Sequence, residues 1–308
     1  MYTPCLIGFS LFLLWPARYW LSKLIILGSA AIITTTSLQV HAEQYQQLDV
    51  DQLGFSPQID GELSEWQVLP PNLIKITPAV DNDPKNRTGT IEVKLWLGMR
   101  DGMIYVAAQW PDDAPDDNYR PWEWRGQKYQ RSKIRDDMFA LRFALAGEFN
   151  RSMVADANYQ VDVWVWSAGR SNRIGNASDY KHTISLKMIE DVAEYETESG
   201  KTVYIDRDRD EGYIGFSTLK PGKTRTTTSR QSIDFSREAS GSVADVTARG
   251  AWNGDYWSLE MVRLLDTGHD DDVKLSAGQK ILGQIAVFNK SGGQHKSVSE
   301  PLLFSFSN

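Results

Sequence analysis

The sequence predicts an all-β chain folded as a two-sheet antiparallel β-sandwich with few short helices. Three observations carry this. Apolar residues recur with period two in segment after segment, no long stretch holds a helical period, and Gly, Asp and Asn punctuate the segments at turn spacing. Short strands of this kind bury one face each and close as two stacked sheets.

In chain order, residues 91–99 and 103–110 flank Arg100-Asp101-Gly102, where Asp-Gly supplies positive φ for a tight hairpin. Residues 138–145 form the next strand. Residues 160–166 alternate cleanly, with Val161, Val163 and Val165 on one face and Asp162, Trp164 and Trp166 on the other. A second hairpin pairs 243–252 with 256–263 around Asn253-Gly254-Asp255, and 281–289 and 297–306 complete the set. Two stretches break the rhythm. Residues 111–133, with Pro115, Pro121, Trp122 and Trp124, read as a long loop with aromatic anchors. Residues 183–240 are polar and charged, and read as loop with a short helix around 187–195.

The first 42 residues read as an export signal. Lys23 precedes an apolar core at 24–33, and Val40-His41-Ala42 supplies the small residues of a cleavage site. That core is about half the length a bilayer span needs. Residues 1–42 are thus a signal peptide, or an N-terminal anchor if uncleaved, and 43–308 are one domain in the periplasm. The formal charge of −7 becomes two units more negative when Arg18 and Lys23 leave. Such acidity argues against nucleic acid and anionic membrane surfaces, and favours partners that present basic patches. Membrane contact is expected only if 1–42 is retained. The one cysteine, Cys5, leaves with the signal. The mature chain therefore has no disulfide, no cysteine-held zinc or iron–sulfur cluster and no C-x-x-C-H, so any haem here is of the non-covalent b type.

Hydrolytic chemistry finds no motif: there is no Gly-x-Ser-x-Gly elbow, no His-Glu-x-x-His and no phosphate-cradling glycine loop. Met153 stands out by its place, in Arg151-Ser152-Met153-Val154-Ala155-Asp156 just before the 160–166 strand. A thioether there packs against rings or ligates a haem iron. Met138 sits within a strand beside Phe139, Leu141 and Phe143, where packing explains it, and Met188 and Met261 have no motif around them. His182 is a conventional alternative ligand, since imidazole suits iron; His269 and His295 read as loop residues. Calcium is possible but not favoured. Asp206-x-Asp208-x-Asp210 places Glu211 and Ser217 where an EF-hand loop needs Gly and Glu, and His269-Asp270-Asp271-Asp272 is equally weak. Trp122, Trp124, Trp164 and Trp166 leave open a carbohydrate-binding module of the same sandwich without haem.

Several local patterns, in order, resemble one family. Ile59-Asp60-Gly61-Glu62-Leu63-Ser64-Glu65-Trp66 resembles the opening of DOMON-like and family-9 carbohydrate-binding sandwiches, which are immunoglobulin-like jelly rolls. The first hairpin with Pro111-Asp112, the strand Asp136-Asp137-Met138-Phe139-Ala140-Leu141-Arg142-Phe143, and Ala251-Trp252-Asn253-Gly254-Asp255-Tyr256-Trp257 with Arg263-Leu264-Leu265-Asp266-Thr267-Gly268 continue it. The chain is most similar to the haem-binding domain of the ethylbenzene dehydrogenase γ subunit and its cytochrome c-552/DMSO reductase-like relatives. The resemblance implies an electron-transfer subunit rather than a catalytic chain, one haem b, and molybdenum and iron–sulfur subunits of a periplasmic oxidoreductase as partners. It also implies a methionine and a lysine on the iron, with Trp164 and Trp166 beside the haem. Met153 matches the methionine's place. Gly215-Phe216-Ser217-Thr218-Leu219-Lys220 looks most like the turn that bears the lysine, which points to Lys220, with Lys223, Lys181, Lys187, Lys201 and His182 as the other candidates.

Overall fold

The computed structural model describes residues 45–308; Cys5 and the expected export signal, with its expected cut after Val40-x-Ala42, lie outside them. The period-two segments form strands throughout. β1 (Gln46–Gln52) and β2 (Asn72–Pro78) lead into the hairpin of β3 (Ile91–Arg100) and β4 (Met103–Pro111). Asp101 and Gly102 turn that hairpin at φ 51° and 77°, as Asp-Gly predicts. Inside the first expected loop, β5 (Trp122–Arg125) and β6 (Lys128–Arg131) form a small hairpin of their own.

Next come β7 (Met138–Gly147), β8 (Tyr159–Ser167) and β9 (Ser178–Ser185), each antiparallel to the one before. The short helix expected around 187–195 is absent. Its C-terminal part instead starts a hairpin of β10 (Ala193–Glu196) and β11 (Thr202–Arg209) that extends the sheet beyond β9. Period two explains the outcome: Val203 and Ile205 are buried while Glu194 and Glu196 face water. β12 (Ser217–Thr218), β13 (Ser229–Arg230) and β14 (Ile233–Asp234) are fragments, of which β13 adds to β5. The second predicted hairpin is β15 (Thr247–Trp252) with β16 (Tyr256–Leu264). β17 (Lys280–Phe288), β18 (Ser297–Ser299) and β19 (Leu302–Phe306) end the chain, the last two split at Pro301, which has no N–H to donate.

The strands make two leaves of a sandwich. One runs β10-β11-β9-β8-β7-β17 and the other β2-β3-β4-β16-β15. They are stitched along one side, because β18 pairs with both β17 and β2, and β19 pairs with β17 and β1. The ladder is antiparallel except at β1, which runs parallel to β19 and to β3. Between the leaves lie Trp110, Phe139, Trp164, Trp166 and Trp257, with the Trp166 ring 5.0 Å from Trp257 and 6.0 Å from Trp110. Gly250 is required there: a Cβ at that position would stand 2.4 Å from Trp166 Cζ2. The opening motif docks on the second leaf through buried Glu260, which accepts Trp66 Nε1–H at 2.8 Å and the Asp60 and Gly61 amides at 3.1 and 3.0 Å.

One buried ion cluster joins the leaves. Arg263 of β16 reaches across the core and places Nη1 2.7 Å from Asp162 of β8, 3.0 Å from Asp179 of β9 and 3.3 Å from Asp272. Its Nη2 donates to the Val273 carbonyl at 2.8 Å, and its guanidinium lies over the Trp164 ring at 4.7 Å. Burial, with the neighbouring Asp162 charge, pushes the Asp179 carboxyl well above the usual range against the pull of Arg263. Removing the one cation leaves these buried carboxylates unpaired, a loss on the order of 3–5 kcal/mol. Arg263→Ala should therefore lower the urea midpoint steeply at pH 7; an unchanged midpoint would show that the leaves hold without it.

Candidate functional site

The alternation of β8 splits its side chains between two environments. Trp164 and Trp166 enter the core between the leaves, whereas Val163 and Val165 face outward. On that outer face the sheet carries an unusual run of small and apolar residues. Ala140 of β7 is paired with Val165 of β8 on one side and Ala286 of β17 on the other, and Ala286 is paired with Val298 of β18. Small side chains in neighbouring strands leave room. A cavity of about 500 Å³ fills it, within the size range of cofactor sites.

Two loops roof the cavity. One, residues 151–154, brings Met153; the other, residues 292–296, brings Lys296. Arg142 props the first from below. It is buried, donates Nε to Gln284 Oε1 at 2.8 Å, and donates Nη2 to the carbonyls of Asn150 and Arg151 at 2.6 and 3.0 Å. The turn is locked further by the Ser152 amide on Asn150 Oδ1 (2.9 Å) and by Tyr159 Oη donating to the Ser152 carbonyl (3.1 Å). The second loop is held from the β2–β3 connection. Asn86 Nδ2 and the Ala79 amide each donate to the Lys296 carbonyl at 2.9 Å, and His295 Nδ1 meets Asp83 Oδ2 at 2.7 Å. Both loops are thereby set on rigid elements.

The cavity's electrostatics are one-sided. Arg142, Arg151, Arg207 and Lys296 line it together with His182 and His295, and no carboxylate is among the lining residues. Burial, reinforced by Arg142 and Arg207, pushes the Lys296 ammonium down to about 8, so a neutral amine is accessible near neutral pH. Its Nζ donates to the Gly293 carbonyl at 2.9 Å and lies 5.4 Å from the centre of the Phe288 ring. His182 of β9 faces the same space; burial and the same two arginines push its imidazole down to about 3, and its Nδ1 has no hydrogen-bond partner. A thioether, a free-base amine and a neutral imidazole are soft and borderline donors suited to iron, and the surplus of cations suits an anionic cofactor. The donor set therefore fits a haem with its carboxylates.

The structure brings Met153 and His182 to one site, where Met138 and His295 also line the cavity, and leaves Lys220 and the other candidate lysines outside it. Lys220 is exposed, beyond β12 and not among the lining residues, so the expected pairing with Met153 is corrected. Lys181, Lys187, Lys201 and Lys223 are also outside; Lys201 is paired with Asp156 at 2.9 Å, and Lys181 points to the face of β9 opposite His182. Trp164 and Trp166 are core residues with no surface to offer a haem or a sugar. Trp122 and Trp124 are half-buried beside Arg131 and Tyr129 on the small β5–β6–β13 sheet. Sequence reasoning missed Lys296 because it lies beyond the second hairpin, outside the window searched for a lysine. The signal that marks it is Gly292-Gly293, two residues without side chains just before it.

The Lys220 region has a character of its own. Segments 119–135 and 217–237 carry eleven Lys or Arg against only Glu123 and Asp234, in a chain whose formal charge is −7. Arg135 brings this basic surface to the cavity rim: its guanidinium lies 3.9 Å from where a side chain on Gly292 would begin.

His182 gives a pH signature. Below 6.5 an unfolded chain binds a proton at this imidazole, while the folded chain does not until about 3. Stability should therefore fall as pH falls through that window. His182→Gln should flatten that slope in urea titrations between pH 6.5 and 4, and the His182 ring resonances should stay at neutral-form shifts throughout.

Residues 64–299 match the sequence profile of the family described as ethylbenzene dehydrogenase. No curated protein sequence matches this chain. Among solved structures, one from Bacteroides uniformis described as a carbohydrate-binding protein is 8% identical, with a TM-score of 0.44, over 86% of this chain and all of that one. A family-9 carbohydrate-binding module from Caldicellulosiruptor kristjanssonii, in complex with glucose, is 12% identical, with a TM-score of 0.37, over 85% and 96% of the two chains. With the profile matched along most of its length, the chain belongs to the ethylbenzene dehydrogenase family.

Proposed function

We propose that the chain binds one non-covalent b-type haem in the cavity on the outer face of β7, β8, β9 and β17, and serves as an electron-transfer subunit. The observation that carries this is the meeting of Met153 and Lys296, from separate roof loops, in an apolar cavity lined by cations and by no carboxylate. Family membership supports the same reading, since a subunit of a dehydrogenase complex needs no catalytic residues of its own.

Bound there, the haem would supply a one-electron couple whose potential depends on axial ligands, burial and shielding from water. The chain's own residues define those terms. Met153 offers a neutral sulfur, which favours the reduced state relative to two nitrogen ligands. Lys296 offers the nitrogen, in a setting that already disfavours its proton; His182 is the second nitrogen within the lining. Arg207, in the cavity lining, would hold a carboxylate, while Arg142 is engaged by the first roof loop and Arg151 by Glu300 at 2.8 Å. Ala140, Ala286 and Val163 would give the haem an apolar floor. The electron partners are the molybdenum and iron–sulfur subunits expected of this family, docking on the basic surface of 119–135 and 217–237 at the rim.

The test is colour and ligand substitution. The exported chain, or the purified chain given haemin, should show a Soret band with a low-spin spectrum at one haem per chain. Met153→Ala and Lys296→Ala should each convert the iron to high spin, with Met153→Ala also lowering the potential, while circular dichroism keeps its β signature. Lys220→Ala should change neither spectrum nor potential. A folded chain that takes up no haemin overturns the reading, and one that stays low-spin in Lys296→Ala but not in His182→Ala moves the nitrogen ligand to His182.

A further inference from the structure

We infer that the chain carries a calcium-type cation site at Asp210, Asp271 and Asp272, at the end of β11 and away from the lining of the haem cavity. Three acidic groups occur in this region, all sharing Asp272, and within each group the ligand atoms lie within 4.8 Å of one another. Two of them already contain a cationic or imidazole partner. In the group Asp162, Asp179 and Asp272 that partner is Arg263, in contact with all three. In the group Asp245, His269 and Asp272 it is His269 itself, 2.7 Å from Asp245 Oδ2. The third group, Asp210 with Asp271 and Asp272, has only the shares of Arg263 (3.3 Å) and His269 (3.8 Å) that reach Asp272, and no cationic partner at Asp210 or Asp271 among the described residues.

The oxygens of that third group are incompletely used. Asp210 is 6% exposed; its Oδ1 accepts the Lys181 amide at 2.8 Å, and its Oδ2 is buried with no hydrogen-bond partner. A buried carboxylate oxygen left unpaired beside two other carboxylates is costly unless a cation sits among them. Asp272 is also 6% exposed; Oδ2 accepts the Thr267 hydroxyl at 2.5 Å, and Oδ1, without a hydrogen bond, faces Arg263 Nη1 at 3.3 Å. Asp271 is half-buried, its Oδ1 oriented by the Ser242 hydroxyl at 2.9 Å, and it leaves the group open to solvent on one side. Pre-set oxygen ligands with room for water match a hard divalent ion of flexible coordination, which favours Ca²⁺ over the stricter octahedral Mg²⁺. The two acidic runs that fail as calcium loops when read singly meet here, each supplying part of one site.

Calorimetric titration of CaCl₂ into the EDTA-treated full-length chain should find one ion per chain, and saturating calcium should raise the melting temperature by about 5 °C. Asp210→Asn and Asp271→Asn should abolish both the heat and the shift, whereas Asp270→Asn, an exposed neighbour, should keep them. The sign in EDTA decides the matter further. Asp210→Asn relieves uncompensated charge, so it should melt higher than the native chain without calcium and lower with it. No heat and no shift at about 10 mM CaCl₂, well above the weakest affinities of extracellular calcium modules, would overturn the site. So would calcium binding that survives both Asn variants. A shift with MgCl₂ equal to that with CaCl₂ would overturn its calcium character.

Discussion

Every other part of the architecture depends on Arg263. It is the one cation at the centre of the sandwich, and its three carboxylates come from β8, from β9 and from the turn after β16. An apolar core would press two leaves together at any of several offsets. A guanidinium that must satisfy Asp162 and Asp179 on adjacent strands at once admits one. Trp164, lying under the guanidinium, and Trp166, seated over Gly250, are then fixed in place, and with them the pleat of β8. Because neighbouring residues on a strand point to opposite faces, fixing the tryptophans inward fixes Val163 and Val165 outward. The cavity floor is thus determined by an ion cluster on the other side of the same strand.

The fold was largely legible because alternation is a local property. The β3–β4 and β15–β16 hairpins follow from Asp-Gly and Asn-Gly-Asp, and the two faces of β8 follow from Asp162, Trp164 and Trp166 against the valines. The polar stretch after β9 was harder to read. Val203 and Ile205 are too few to announce a strand, and β11 exists because β9 offers it an edge.

The candidate site was half legible. Met153 could be picked out by its position before β8, and it does reach the cavity. Its surroundings could not, since alternation says which residues share a face but not which face meets the core. The aromatic face looked like a haem wall and is the inside of the sandwich. Lys296 was hidden for a different reason: it joins Met153 only through the pairing of β17 with both β7 and β18, a relation between distant segments. Likewise Asp210 and Asp272 each sit in a run that looks like ordinary solvated acid, and only the return of the chain brings them together.

The parallel pairing of β1 with β19 sets the order in which this protein can be completed. Gln46 lies opposite Leu302; the end of β1 pairs with β3 at Asp51 and Gln52, but Gln46 to Val50 find their neighbour only in β19. β2 pairs with β3 on one edge and waits for β18 on the other. Hairpins such as β3–β4 form from local sequence, but the seam that closes the leaves requires contacts of very long sequence separation, which are slow to form. A chain emerging from its N-terminus is therefore left with an open sheet edge until the last strands arrive. The native pairing is complete only once that seam has closed.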